Sequence, residues 1–400
     1  MDKGERDTMK YDFDTIVNRR GTTSLKWDVA ENELPMWVAD MDFKTAPEIL
    51  EALQERLNHG IFGYSITPEE WYTSILNWWK ERHGLVMEKD WLVFCTGVVP
   101  ALSSLVRKLT TPGENVLIQT PVYNVFFNSI VNNGRNVLES PLVYDRESCS
   151  YSIDWQDLEK KLADPQTTMM ILCNPHNPIG KIWERETLER IGELCAKYHV
   201  LVVSDEIHCD LTEPGRGYIP FASVSETCKN NSVTCIAVTK AFNLAGMQSA
   251  AVAVADPFLR HKVWRGINTD DVGEGNAFAS EAVIAALTRG GDWLDELREY
   301  ISGNRKFVGD FIAKEIPQIH LVPSEATYLL WLDCLELTGG QAGLGKFIRK
   351  ETGLYVTDGV HYGKAGAGFL RMNVACPRAL VEDGLQRLKA GVEAWERQKK

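Results

Sequence analysis

No run of apolar residues in this 400-residue chain approaches the ~18 that a membrane crossing requires, so a membrane-spanning protein is not expected. Excess positive charge is missing as well. The 43 Lys and Arg against 55 Asp and Glu leave a formal net charge of −12, whereas a nucleic-acid partner needs a basic surface. No two cysteines have Cys-x-x-Cys spacing. The nine cysteines are scattered and odd in number, which argues against a disulfide framework or a zinc site and for a reducing, cytoplasmic setting. Cys95, Cys173 and Cys235 sit inside apolar runs and read as small core residues, and no metal is expected. The first residues, Met1 to Asp7, lack the apolar segment of a secretory signal. Internal repeats, low-complexity tracts and long linkers are absent too.

What the chain does contain is length enough for two domains sharing a buried core, and a regular alternation of helix and strand patterns. Thr45-Ala46-Pro47 marks a helix start, followed by an apolar stripe at Ile49, Leu50, Leu53 and Leu57. A second helix starts near Pro68, with Trp71, Ile75 and Trp79 on one face; Trp78 is also read as helix packing. Strand candidates are Val116–Gln119, Met169–Cys173, Val200–Ser204, Val233–Val238 and Ala250–Ala255, with a helix over Glu184–Tyr198 between the second and third. Apolar runs without alternation predict strands buried on both faces, hence a mostly parallel sheet under helices. A long helix near Trp293–Phe311, a strand at Tyr328–Asp333 and a final helix over Ala379–Trp395 read as a smaller α+β unit. The expected division is 46–290 for a large α/β domain, with 1–45 and 291–400 forming the small one.

Four of the strands run into unusual residues: Thr120-Pro121-Val122-Tyr123, Asn174-Pro175-His176-Asn177-Pro178-Ile179-Gly180, Asp205-Glu206-Ile207-His208 and Thr239-Lys240-Ala241-Phe242-Asn243. Ligands of open α/β sheets bind at the carboxyl ends of strands, so these residues are expected to converge on one pocket. A lysine dried by apolar neighbours can form a Schiff base. A buried aspartate needs a cation, and a protonated ring nitrogen is one. Asparagine and histidine can hydrogen-bond a phenolate-like oxygen, while a tyrosine ring can stack on a planar heterocycle. The segment Cys95-Thr96-Gly97-Val98-Val99-Pro100 opens a helix Ala101–Leu109, whose free N–H groups would hold a phosphate. Pyridoxal 5′-phosphate (PLP) has all of these features.

Singly, each residue has a plainer reading: Lys240 as an exposed strand-end lysine, Asp205 as a helix cap, Asn177-Pro178 as a turn, Tyr123 and Tyr64 as half-buried aromatics, Arg371 as a surface ion pair and His208 as a core histidine. Placement of Lys240, Asp205 and Asn177 at successive strand ends is what favours the joint reading. The glycine-rich Gly363-Lys364-Ala365-Gly366-Ala367-Gly368 lacks the spacing of a dinucleotide site and reads as a mobile loop.

Taken together, Asn-Pro-His-Asn-Pro-x-Gly, Ser-Asp-Glu-Ile-His and Lys-x-Phe-Asn are highly specific. With Val38-Ala39-Asp40-Met41-Asp42-Phe43, Phe62-Gly63-Tyr64 and Phe369-Leu370-Arg371-Met372-Asn373, they make the chain resemble fold-type I PLP enzymes of the class I/II aminotransferase superfamily. The branch it most resembles holds cystalysin and bacterial cystathionine β-lyases. The resemblance implies a three-layer PLP-transferase fold with a mostly parallel central sheet and a smaller α+β domain. It implies Lys240 as the Schiff-base lysine that later moves the Cα proton, with Asp205 on the ring nitrogen and Tyr123 on the ring face. Asn177, with His208 as a second candidate, contacts the ring oxygen. Gly97, Val98, Val99 and Thr239 cradle the phosphate, with Tyr64 reaching it from the other subunit of a homodimer. Arg371 binds the substrate α-carboxylate, helped by Asn177 and the backbone at Val38 and Ala39. Two positions depart from the aminotransferase pattern: Gln248 replaces a phosphate-binding arginine, and Ala237 a serine. The implied activity is a C–S β-lyase that turns L-cystathionine or cysteine S-conjugates into a thiol, pyruvate and ammonia. Two alternatives stay open: an aminotransferase for aromatic or neutral amino acids, and a PLP-fold protein that binds a regulatory partner.

Overall fold

The computed structural model describes residues 9–399, so the polar Met1–Asp7 segment lies outside the described residues. The chain builds a seven-stranded sheet from β1 (Leu92–Cys95), β2 (Asn115–Ile118), β3 (Asn136–Glu139), β4 (Thr167–Cys173), β5 (Leu201–Asp205), β6 (Ser232–Ile236) and β7 (Ala250–Ala253). Their spatial order is β1-β7-β6-β5-β4-β2-β3. Every neighbour pair is parallel except the two made by β7, which is antiparallel to both β1 and β6. β1 therefore points the same way as the other five, and six carboxyl ends share one edge. The antiparallel course of β7 is a feature the apolar pattern of 250–255 does not encode.

Each parallel strand except the edge strand β3 is buried on both faces, because successive side chains enter different layers. Val116 and Ile118 of β2 join one core with Leu102 and Leu105, while Leu117 joins another with Leu158 and Leu188. Helices on both faces complete three layers. The helices that matter here are α1 (Pro47–His59), α2 (Glu69–His83), α3 (Val98–Leu109), α4 (Arg185–Lys197), α5 (Pro257–Thr269), α6 (Ala279–Arg289), α7 (Gly291–Glu315), α8 (Leu344–Thr352) and α9 (Arg378–Lys399). Pro47 at the first position starts α1, and Gly60 at φ 75° closes it in the left-handed conformation that glycine adopts without strain. Of the apolar stripe expected on α1, Ile49 is fully buried, but Leu50 and Leu57 face solvent. The helix rests on α6 through Ile49 and Ala52, with Leu53 packed beside them.

A second, four-stranded antiparallel sheet runs β8 (His320–Leu321), β9 (Leu329–Asp333), β11 (Phe369–Asn373), β10 (Thr357–Asp358). Leu330, Leu332, Leu370 and Met372 pack there against Val308 and Ile312 of α7, Ile348 of α8 and Leu385 of α9. The N-terminal segment joins this unit through a parallel pairing of Leu34–Pro35 with Leu354–Tyr355. Arg371 sits in the middle of β11, opposite Trp331 on one side and Thr357 on the other. The 363–368 segment expected to be mobile is instead tightly packed. A Cβ on Gly359 or Gly366 would collide with the other's backbone, and one on Gly359 would also meet the Trp331 ring, so the glycines serve close approach.

One ionic cluster pins the N-terminal segment. Lys26, 1% exposed, donates to Asp42 Oδ2 at 2.7 Å, and Arg19 donates to Asp42 Oδ1 at 2.7 Å and to both oxygens of Asp40. The Trp27 indole N–H also donates to Asp42 Oδ1, at 2.7 Å. Removing one partner of a buried pair strands the other charge. Asp42→Ala is expected to lower the unfolding free energy by about 3 kcal/mol, measured by urea denaturation at pH 7, whereas Asp28→Ala at a surface turn changes it by less than about 0.5 kcal/mol.

Candidate functional site

Five of the shared carboxyl ends carry the residues singled out from the sequence. β1 leads through Gly97 into α3, β2 into Thr120 to Tyr123, β4 into Asn174 to Asn177, β5 into Asp205 to His208, and β6 into Thr239-Lys240. β6 ends at Ile236 rather than Val238, so Lys240 sits on a turn beyond the strand instead of on its last residues. Lys240, Tyr123, Arg371, Val38 and Ala39 line a single cavity of about 580 Å³, a size common for small-ligand sites.

The Lys240 ammonium donates to the Ala39 carbonyl at 2.6 Å. Burial, reinforced by the positive charge of Arg371, pushes its pKa down to about 8, so the neutral amine is a minor but readily reached form near physiological pH. Asp205 is enclosed at the end of β5. Burial raises its carboxyl to about 7, opposed by the Ile207 N–H at 3.2 Å and by the charge of Lys240. Arg371 is 5% exposed and donates from Nη1 to Asn177 Oδ1 at 3.2 Å and from Nη2 to the Trp37 carbonyl at 2.8 Å. Its guanidinium lies 4.7 Å from the centre of the Tyr362 ring. Asn177 thus orients the arginine, a contact the sequence alone did not reveal.

His208 is buried, and burial with the charges of Lys240 and Arg371 drives its pKa down to about 3, which makes it a neutral imidazole. Its neighbour Glu206 points away from the cavity. It takes hydrogen bonds from Ser204 Oγ at 2.7 Å, the Phe221 N–H at 3.0 Å and the Tyr218 hydroxyl, and burial raises its pKa to about 8. Asp210 ties the far side of the same turn to α2 through Trp78 Nε1 and His83 Nε2, both at 2.9 Å. The turn that aims Asp205 and His208 is therefore fixed at both ends. Tyr123 keeps a neutral hydroxyl, its pKa pushed up to about 12 by burial and by Asp205.

A PLP-like group fits what this pocket leaves unmet. His208 Nδ1 and Arg371 Nε are buried without a hydrogen-bond partner among the described residues. α3 begins at Val98, earlier than expected, so Gly97, Val98 and Val99 form its uncapped start. That start has no side-chain cap and no acidic residue in the first turn, which leaves N–H groups free for an anion. Thr239 is buried beside Lys240. Tyr64 stands apart, fully exposed on the 60–66 segment, and Gln248 takes a left-handed backbone at φ 52°. Sequence reasoning missed Trp37, Tyr328, Tyr355, Tyr362 and Asn373. Tyr328 donates to the Ala39 carbonyl at 3.1 Å, and Asn373 donates to the carbonyls of Val38 and Asp40, both at 2.7 Å. Backbone acceptors have no side-chain signature, and this is why the partners of that segment escaped notice.

A three-layer α/β body with lysine, aspartate and asparagine at adjacent strand ends defines a class of cofactor-dependent enzymes acting on amino acids. The chain belongs to the aminotransferase class I and II family, which it matches over residues 31–388. It is 42% identical over 386 residues to cystathionine beta-lyase PatB of Bacillus subtilis (strain 168), covering 95% of this chain and 99% of that one. Its fold superposes on cystalysin from Treponema denticola, solved with a pyridoxal 5′-phosphate cofactor, with TM-score 0.92, 32% identity and coverage of 96% and 100%. The PLP-bound C–S lyase from Staphylococcus hominis gives TM-score 0.90, 32% identity and coverage of 96% and 99%.

The raised carboxyl of Asp205 gives a pH signature. A group whose pKa is higher folded than unfolded stabilises the fold below its unfolded value, 3.8, and that contribution is lost as pH rises through about 7. In protein stripped of any cofactor, Asp205→Asn is expected to match the parent near pH 4 and to exceed it at pH 8, the gap growing by at most about 1.4 kcal/mol per pH unit between them. Urea titrations at both pH values check this, and a gap independent of pH overturns it.

Proposed function

We propose that this chain is a PLP-dependent carbon–sulfur β-lyase that converts L-cystathionine or cysteine S-conjugates into a thiol, pyruvate and ammonia. The observation that carries the reading is the facing of Lys240 and Arg371 across one cavity with Asp205 enclosed behind it, in a chain 42% identical to a cystathionine β-lyase. Residues that would hold the cofactor are Lys240 at its aldehyde carbon and Asp205 at its ring nitrogen, with Tyr123 on the ring face. Asn177 and His208 lie on the side of the ring oxygen. Gly97, Val98, Val99 and Thr239 bind the phosphate, with Tyr64 of a second subunit. When bound, PLP supplies an electron sink for the pair left on the substrate Cα.

The chain's own residues do the rest. Arg371, held by Asn177 and the Trp37 carbonyl, binds the α-carboxylate and fixes which bond at Cα is presented. Lys240, with a pKa near 8, takes the Cα proton as a neutral amine. The Ala39 carbonyl then accepts a hydrogen bond from the ammonium; the C–S bond breaks, the thiolate takes a proton to leave as thiol, and the released 2-aminoacrylate is hydrolysed by water to pyruvate and ammonia. His208, being neutral, adds no charge beside these groups. The same proton-moving lysine serves transamination, which the family's description favours as a second reading.

Purified protein given L-cystathionine without a keto acid is expected to release pyruvate and ammonia, and borohydride reduction followed by peptide mapping is expected to label Lys240. Formation of the amine form of the cofactor, reversed by a 2-oxo acid and without pyruvate from any β-thio amino acid, supports the aminotransferase instead. If neither chemistry is found and Lys240→Ala is without phenotype, a regulatory binding protein replaces both readings.

We propose further that residues 46–290 form the cofactor-holding domain, that 1–45 and 291–400 form the smaller one, and that two chains pair. Ile61, Phe62, Tyr64 and Ile66 are all exposed, and a contiguous apolar surface of this kind favours burial against another protein. Nine free cysteines, eight of them buried, suit a reducing cytoplasm. Sedimentation velocity is expected to give a dimer; a monodisperse, fully active monomer overturns that assignment.

A further inference from the structure

The cavity that holds Lys240 and Arg371 also has Lys346 on its lining, and nothing in the chemistry above uses that lysine. Lys346 sits in the first turn of α8. Its backbone N–H, with those of Gly343 and Gly345, donates to the Asp358 carboxylate at 3.0–3.3 Å. Asp358 belongs to β10 and follows Thr357, the residue paired with Arg371. Lys346 and Arg371 are therefore registered to each other through one strand pair.

The charges around Lys346 are accounted for. Asp358 is engaged by three backbone N–H groups. Arg349, one turn further along α8, is bidentate to Glu33 at 2.6 and 2.9 Å and lies 3.6 Å from the centre of the Tyr355 ring. Tyr355 in turn stacks on Trp37 at 4.9 Å and 11° between planes, a flat wall ending at the carbonyl that receives Arg371. The Lys346 ammonium is exposed and has neither ion pair nor hydrogen bond among the described residues. A cation left free on the lining of an amino-acid cavity suits an anionic substrate arm.

We propose that Lys346 is a specificity-determining residue that binds a carboxylate carried by the sulfur substituent, so that the chain prefers β-thio amino acids with an acidic arm. This rests on the lyase reading for the identity of the substrate, while the contact itself concerns binding alone. S-(2-carboxyethyl)-L-cysteine has such a carboxylate with no second ammonium, and S-propyl-L-cysteine is its neutral counterpart. The holoenzyme's dissociation constant for each, read from the change in cofactor absorbance, gives a preference ratio that needs no turnover.

Lys346→Ala is expected to reduce the preference for the carboxyethyl compound about fivefold, the size of one partly solvated ion pair, and Lys346→Glu by about tenfold or more. Lys346→Arg keeps it within about twofold. If both the alanine and the glutamate variants change the ratio by less than twofold, the inference is overturned. Failure of the parent protein to release pyruvate from either amino acid overturns the lyase reading and leaves the binding comparison to stand or fall by its own ratio.

Discussion

The carbonyl groups of Trp37 to Phe43 hold the two sheets of this molecule in register. Trp37 receives Arg371 and Ala39 receives Lys240 and Tyr328, while Val38 and Asp40 share the Asn373 amide. Met41 and Phe43 receive Asn243, three residues beyond Lys240. Two of these five donors, Lys240 and Asn243, follow β6, and three, Arg371, Asn373 and Tyr328, come from β11 and the residue before β9, so one segment ties the lysine to the arginine. A segment outside helix and sheet leaves most of its carbonyls to be satisfied from elsewhere, and here two of the donors, Lys240 and Arg371, line the cavity. Arg19 and Lys26 anchor the segment from behind through Asp40 and Asp42.

Burial then sorts the ionisable groups by sign. Lys240 is pushed toward its neutral amine and His208 is kept neutral, whereas Arg371 stays cationic because guanidinium holds its proton. The cavity therefore sets Arg371, which keeps its positive charge, beside an amine that burial has made easier to deprotonate.

Much of this was legible in the sequence, for reasons that can be stated. β-Branched and long apolar runs at 169–173, 200–204 and 233–236 fit only strands covered on both sides, and the polar residues ending them had to lie on the covered edge. The stripe on α1 misled at Leu50 and Leu57 because amphipathic spacing does not say how wide a contact is. The loop 363–368 misled because glycine serves freedom in one context and close approach in another, and Trp331 decides which. The antiparallel course of β7 and the donors to Trp37, Val38 and Ala39 depend on tertiary placement, which no local pattern carries.

The adjacent acids at the end of β5 divide their labour. Glu206, boxed in by Ser204, Phe221 and Tyr218 and raised to about 8, behaves at neutral pH as an uncharged peg. Had both side chains ionised, their repulsion would smear the negative potential over two positions and weaken its aim. With the peg silent, Asp205, itself raised to about 7 by burial, holds the larger share of the negative charge at that strand end.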